Sequence, residues 1–155
     1  MFERFARAAR TAVEDAKVEA GRRGDRSIGS EHLLLAILRD DGLAQLAGTT
    51  AEAARLAAER LDRTALEAIG FTLGEPVARR GAPSRPASRL TPGAKAVIRG
   101  SLMNAADEKA RLITTRHLLI ALLDRPQPDP VASLFAELHI DRSALRNRLT
   151  DPRRG

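Results

Sequence analysis

Cysteine is absent from the 155 residues, which excludes a disulfide framework and a thiolate metal site. Trp and Tyr are also missing and aromatic residues make up only 3%, so the stacking platforms used by single-strand nucleic-acid binders are nearly lacking. Lysine is scarce: Lys17, Lys95 and Lys109 are the only three, and the net charge of +6 rests on arginine. That charge is compatible with an acidic partner and specifies none. No run approaches the ~20 consecutive apolar residues of a membrane helix. The opening MFERFARAAR mixes acid and base and has no apolar signal core. With no cysteine to protect, these absences lead to the expectation of a cytoplasmic protein. A chain of this size buries roughly two-thirds of its unfolded surface and needs no metal to hold a core.

What is present is an internal repeat. The segment EHLLLAIL at 31–38 matches RHLLIALL at 116–123, at an offset of 85 residues. The same offset runs back without a gap to Phe5 and Leu90, pairing Ala9 with Ala94, Arg10 with Lys95, Val13 with Ile98 and Ile28 with Ile113. Further on, LDRTAL at 61–66 matches IDRSAL at 140–145 at an offset of 79. This predicts about six extra residues in the first copy, within 42–50, a tolerable loop insertion.

Alanine and leucine dominate and alternating β-branched residues are missing, so the chain reads as all-α. Each copy predicts four helices. The first covers 5–21, with Phe5, Ala9, Val13, Ala16 and Ala20 on one face. Its counterpart starts at Thr91-Pro92, a cap followed by proline at the first helical position. The second follows Ser30 as cap in one copy and Thr114 or Thr115 in the other; its Leu/Ile run predicts the most buried helix. The third covers 51–60 and, after Asp129-Pro130, 130–138. A short fourth follows Asp62 or Asp141, with Gly70 as a stop. Repeat one is placed at 3–70, a Pro/Gly/Ser/Arg-rich exposed connector at 71–89, repeat two at 90–150 and a tail at 151–155.

MFERF at the start, IGSEHLLLAIL in copy one, LTPGAKAVI at the start of copy two and TTRHLLIALL within it resemble the Clp N-terminal domain. This is the double Clp repeat that precedes the ATPase rings of ClpA- and ClpC-type unfoldases. The resemblance covers about residues 1–150 and implies one compact eight-helix bundle of two pseudo-twofold-related four-helix repeats. It implies docking of substrates and adaptors without catalysis and, in the ClpC branch, reception of phosphoarginine-marked proteins. No G-x-x-x-x-G-K-[ST] loop occurs in the sequence. The expectation is a stand-alone relative of the domain that tunes access to a Clp unfoldase–protease, or else a fragment of a longer unfoldase. A small basic helical nucleic-acid binder is the alternative from another class, resting on the Arg pairs at 22–23, 79–80 and 153–154.

Six residues become ligand or partner candidates. Glu31 matches the glutamate that, by resemblance, pairs with a phosphoarginine guanidinium; the plainer role is to complement the helix dipole. Arg116 stands where the family has a second glutamate, so a second such site is doubtful and Arg116 is either paired with an acid or solvated. Arg10 and Lys95 are repeat mates that would meet a phosphate or an acidic partner, or simply water. Phe2 matches an apolar groove residue of the ClpC branch, and Leu90 replaces its aromatic companion; both could instead cover the bundle ends. Thr91 reads as a cap. His32 and His117 read as hydrogen-bonded histidines packed under helix starts, with no metal-ligand spacing around them, and no partner set stands out for His139. No nucleophile–base–acid set is discernible, and Ser30-Glu31-His32 point about 100° apart along a helix. The expectation is no catalytic residue, no metal and no cofactor.

Overall fold

A computed structural model describes residues 2–70, 87–151 and 153. In chain order its elements are α1 (Arg7–Arg22), β1 (Ser27–Ile28), α2 (Ser30–Ile37), α3 (Asp41–Ala47), α4 (Ala51–Ala68), β2 (Arg89–Leu90), α5 (Pro92–Asp107), α6 (Thr115–Leu123), α7 (Pro130–Glu137) and α8 (Arg142–Thr150). The all-α reading holds, with two-residue strands as the only sheet among the described residues.

At the centre α2 packs against α6. Residues 33–38 and 118–123 are each no more than 4% exposed, because both helices are covered by neighbours on every side. Fully burying each Leu or Ile contributes roughly 1.5–3 kcal/mol. Around this pair the packing repeats itself: α1 lies on α2 as α5 lies on α6, and α1 reaches α6 as α5 reaches α2. Likewise α4 packs on α7 and α3 on α8. Small side chains permit the close approach of α1, whose buried face is Ala9, Ala12, Ala16 and Ala20.

The chain segments entering α1 and α5 exchange sides. Leu90 pairs with Ile28 in a parallel register, and Phe5 bridges Ile113 in the same sense. Thr91 N–H donates to Ile28 O at 2.9 Å and Ala6 N–H to Ile113 O at 2.8 Å. These are repeat mates, so each half is sealed by the strand of the other.

Several boundaries differ from the sequence reading. Phe5 is buried ahead of α1 rather than within it. The supposed insertion at 42–50 is α3, capped by the Asp40 carboxylate on Leu43 N–H at 3.0 Å and stopped at Gly48 in the left-handed region, φ 71°. The helices expected at 51–60 and after Asp62 are the single α4, since nothing between Arg60 and Asp62 breaks a helix. The LDRTAL match therefore misleads: Asp62 lies mid-helix, whereas Asp141 caps α8 through Ala144 N–H. Structurally α3 corresponds to α7 and α4 to α8. Gly29, not Ser30, is the cap residue of α2. Thr91 and Asp129 cap α5 and α7 as expected, and Gly70 with φ 93° follows the end of α4. Arg22 closes α1, one residue beyond the end expected at 21. Of the expected connector, 71–86 lies outside the described residues, while Arg89 belongs to β2.

Candidate functional site

The first turns of α2 and α6 are built alike. His32 Nδ1 accepts from Gly29 N–H at 2.8 Å, and its Nε2 lies 2.8 Å from Asp25 Oδ2. His117 Nδ1 accepts from Thr114 N–H at 2.9 Å, and its Nε2 lies 2.9 Å from Glu108 Oε2. Because Nδ1 is the acceptor in both, this network places the ring proton on Nε2, which donates to the carboxylate. Both rings are buried. They are the hydrogen-bonded histidines expected under the helix starts, with acidic partners that no motif advertised.

Beside His32 the first copy opens into a cavity of about 220 Å³ between α4 and α7, at the seam of the repeats. Arg23, Asp25, Glu31, Asp62 and Ser133 supply its polar wall, and Leu61 and Leu134 its apolar part. Arg23 is held at 3.3 Å from Asp25 and 2.6 Å from Asp62. Burial pushes the Asp25 carboxyl up, but hydrogen bonds and charge from His32 and Arg23 outweigh it and leave its pKa below the ordinary value. Glu31 differs. Its carboxylate folds back over Gly29, where a β-carbon would collide with it, and its Oε2 is buried without a hydrogen-bond partner. An orphaned buried acceptor costs roughly 1–3 kcal/mol, more when charged. A donor arriving in the cavity would relieve that cost as the carboxylate swings out.

Asp25, Glu31 and His32 place their ligand atoms within 4.8 Å of one another. A cation on His32 Nε2 would displace the proton held there while Nδ1 still accepts from Gly29. The ring would become an anionic imidazolate or lose its cap. The trio is suited to holding the helix start, and Glu31 Oε2 is the buried oxygen among them that lacks a hydrogen-bond partner.

Repeat two reverses the charges. The mates of Arg23 and Glu31 are Glu108 and Arg116, and here they pair directly. Arg116 Nη1 donates to Glu108 Oε1 at 3.0 Å and to Leu149 O at 3.2 Å, while Nη2 contacts Glu108 Oε2. The Arg116 hydrogen bond is the main reason that the Glu108 carboxyl falls to about 2, against burial and with help from His117. Of the two roles open to Arg116, pairing with an acid is the one observed. The chain's own guanidinium occupies the acidic group of the second half.

The other candidates lie elsewhere. Phe2, half-buried, packs edge-on against Phe5 with ring centroids 5.1 Å apart. Leu90, half-buried, sits opposite Ile28, so the two belong to different strand pairs. Arg10 and Lys95 are exposed on α1 and α5. Among the described residues no hydrogen bond or ion pair links Glu31 to any of these four. Arg23, Asp25 and Asp62 were missed in the sequence. The one available signal was the placement of an acid seven residues before His32 and nine before His117.

No family model matches the chain. It is 32% identical over 124 residues to the negative regulator of genetic competence ClpC/MecB of Bacillus subtilis, a match covering 79% of the chain and 14% of that protein's length. Its fold superimposes on the N-terminal domain of the caseinolytic-protease-associated chaperone ClpD from Arabidopsis thaliana with a TM-score of 0.75 and 18% identity, covering 100% of this chain and 97% of that one. The fold is that of the Clp N-terminal domains. The Hsp104 N-terminal domain from Candida albicans gives a TM-score of 0.67 at 19% identity, with 97% and 92% coverage. The sequence resemblance and the shared fold thus agree. Within this fold Glu31 faces the open half and Arg116 closes the other.

Proposed function

We propose that the chain is a non-catalytic, cytoplasmic protein-binding module that takes substrates, adaptors or phosphoarginine-marked proteins at the seam of its two repeats and thereby modulates degradation by a Clp unfoldase–protease. The single observation that carries this reading is Glu31. Its buried, unpartnered carboxylate oxygen borders a cavity large enough for a guanidinium group, and a carboxylate suits the two parallel N–H donors of that group. Arg23 in the same wall supplies positive charge for a phosphate. Arg10 and Lys95 remain exposed cations for an acidic partner, and Phe2 and Leu90 half-buried apolar contacts.

Only the first half has this vacancy, because Glu108 is already satisfied by Arg116. The expected stoichiometry is one ligand per chain. Much of the arginine charge is engaged internally, as in Arg39–Asp15, Arg55–Glu19, Arg60–Glu137 and Arg125–Asp129. That favours a protein ligand over the phosphate backbone of nucleic acid, which rewards unpaired cations. No described helix is long and apolar enough to cross a membrane.

The test is calorimetric titration with phosphoarginine and with an arginine-phosphorylated protein, wild type against Glu31→Ala, alongside pull-downs from the native cell. One-to-one binding lost in Glu31→Ala, with an unchanged melting profile, supports the reading. Absence of heat for both titrants removes the phosphoarginine version. Identical captured proteins for wild type and variant remove Glu31 as the docking point.

A further inference from the structure

The charges bordering the seam cavity do not balance. Among the described residues three carboxylates, Asp25, Glu31 and Asp62, face one guanidinium, that of Arg23. The neighbouring His32 ring is neutral, with Nδ1 accepting from Gly29 and the proton on Nε2. The wall carries two net negative charges, and the N-terminus of α2 offsets them by only about half a positive charge. The matching group of repeat two is balanced, because Glu108 and Arg116 pair beside an equally neutral His117.

The first half is short of a cation where the second supplies its own. The cation used there is an arginine, both of whose terminal nitrogens meet the Glu108 carboxylate. Arg23 does not play that part for Glu31. It is already shared between Asp25 at 3.3 Å and Asp62 at 2.6 Å, and Glu31 Oε2 stays buried without a hydrogen-bond partner. A phosphate could recruit Arg23 only by drawing it off both acids. The rest of the wall suits a long aliphatic stem: Ala58, Leu61, Pro130 and Leu134 offer apolar surface to the methylenes behind a charged head.

We propose that the seam cavity selects an unmodified arginine side chain of a partner protein and discriminates against the phosphorylated form. This rests on the seam reading above and ranks its ligands. The incoming guanidinium takes the place of the missing cation and gives two N–H donors to Glu31, as Arg116 does to Glu108 within the chain. A phosphoryl group adds roughly two negative charges, which turns attraction to the wall into repulsion. Lysine brings the charge without the paired donors.

The probes are capped Gly-X-Gly peptides, with X as arginine, phosphoarginine, lysine or citrulline, the last an uncharged isostere of arginine. Each is titrated at low salt into the full chain and followed by amide NMR shifts. Saturable shifts at Glu31, Asp62 and Ser133 are expected for arginine. Its affinity should exceed that of the other three by roughly tenfold or more, the scale of one charge-assisted hydrogen bond, and the gap should narrow as salt rises. Glu31→Gln should lose arginine binding. Asp62→Asn, an isosteric change of an exposed side chain, should weaken arginine and strengthen phosphoarginine at an unchanged melting temperature. A phosphoarginine peptide that binds as tightly as the arginine one, or tighter, overturns this inference and leaves the seam reading standing. Equal binding of citrulline, or affinities untouched by Asp62→Asn, does the same. Absence of shifts with all four peptides removes the seam reading and the inference with it.

Discussion

His32→Ala is the most informative perturbation of the fold, because one ring serves two partners while being 1% exposed. Truncation leaves the buried Gly29 N–H without its 2.8 Å acceptor, a loss of roughly 1–3 kcal/mol. The vacated ring space adds a cavity term, for a total of about 2–4 kcal/mol. In a chain of this length each kcal/mol moves the melting temperature by ~2–4 °C, so a fall of roughly 5–15 °C is expected. His32→Asn keeps an acceptor near the Nδ1 position and should recover about half of the loss on the same scale. His117→Ala should match His32→Ala to within about 1 kcal/mol, since its bonds to Thr114 and Glu108 have the same geometry. Urea denaturation with thermal melts measures these values, and nitrogen NMR of the rings reads the tautomer. A loss below about 1 kcal/mol for either alanine variant, or a ring proton found on Nδ1, would refute the capping argument.

Glu19 is a 1%-exposed carboxylate held by Arg55 at 2.7 and 3.1 Å, with Arg39 at 3.5 Å; Glu19→Ala should cost about 1.5–3 kcal/mol, the scale of hydrogen bonds to a charged group, since Arg39 keeps Asp15 and Arg55 keeps Glu52, read by urea denaturation. Stability should also fall in acid. The Glu19 carboxyl is pushed up by burial but brought below its ordinary value by the Arg55 hydrogen bond and nearby arginine charge, and Asp25 and Glu108 are lowered too. Such groups bind fewer protons folded than unfolded, so their contribution is complete above the ordinary value of 4.5 and disappears as pH falls towards about 2; a melting series across that range checks it, and a flat profile contradicts it. Asp129→Ala should cost about 2–4 kcal/mol, because it removes the acceptor of Ser30, Val131 and Arg125 at once. Arg116→Glu should destabilise by about 1 kcal/mol through repulsion with Glu108 and should create no second phosphoarginine site in calorimetry unless Glu108 is also replaced.

Two levels of information differ in how far they could be read along the chain. The repeat from Phe5/Leu90 to Leu38/Leu123 was legible because buried Ala and Leu positions recur at helical spacing and must do so in both halves. The caps at Thr91 and Asp129 were legible because a short polar side chain before proline has one favoured use. The LDRTAL match misled because local likeness carries no information about helix starts when no breaker intervenes. Asp62 therefore sits mid-helix while its look-alike Asp141 is a cap. The histidines were read as structural, but Asp25 and Glu108 were not found, since their distances to the histidines along the chain are unequal.

By itself the sequence determined a cysteine-free, all-α chain of two related halves, with α2 and α6 at its centre and Glu31 and Arg116 at matching helix starts. Periodic burial and capping are local properties, and linear order is enough to reveal them. Only the tertiary structure decided that Arg116 is closed onto Glu108 while Glu31 keeps a buried oxygen unpaired. It likewise decided that Asp129 reaches across to Ser30. Those outcomes depend on which side chains meet after the strands exchange sides and the links run their different lengths, and pairings in space of that kind are set by packing.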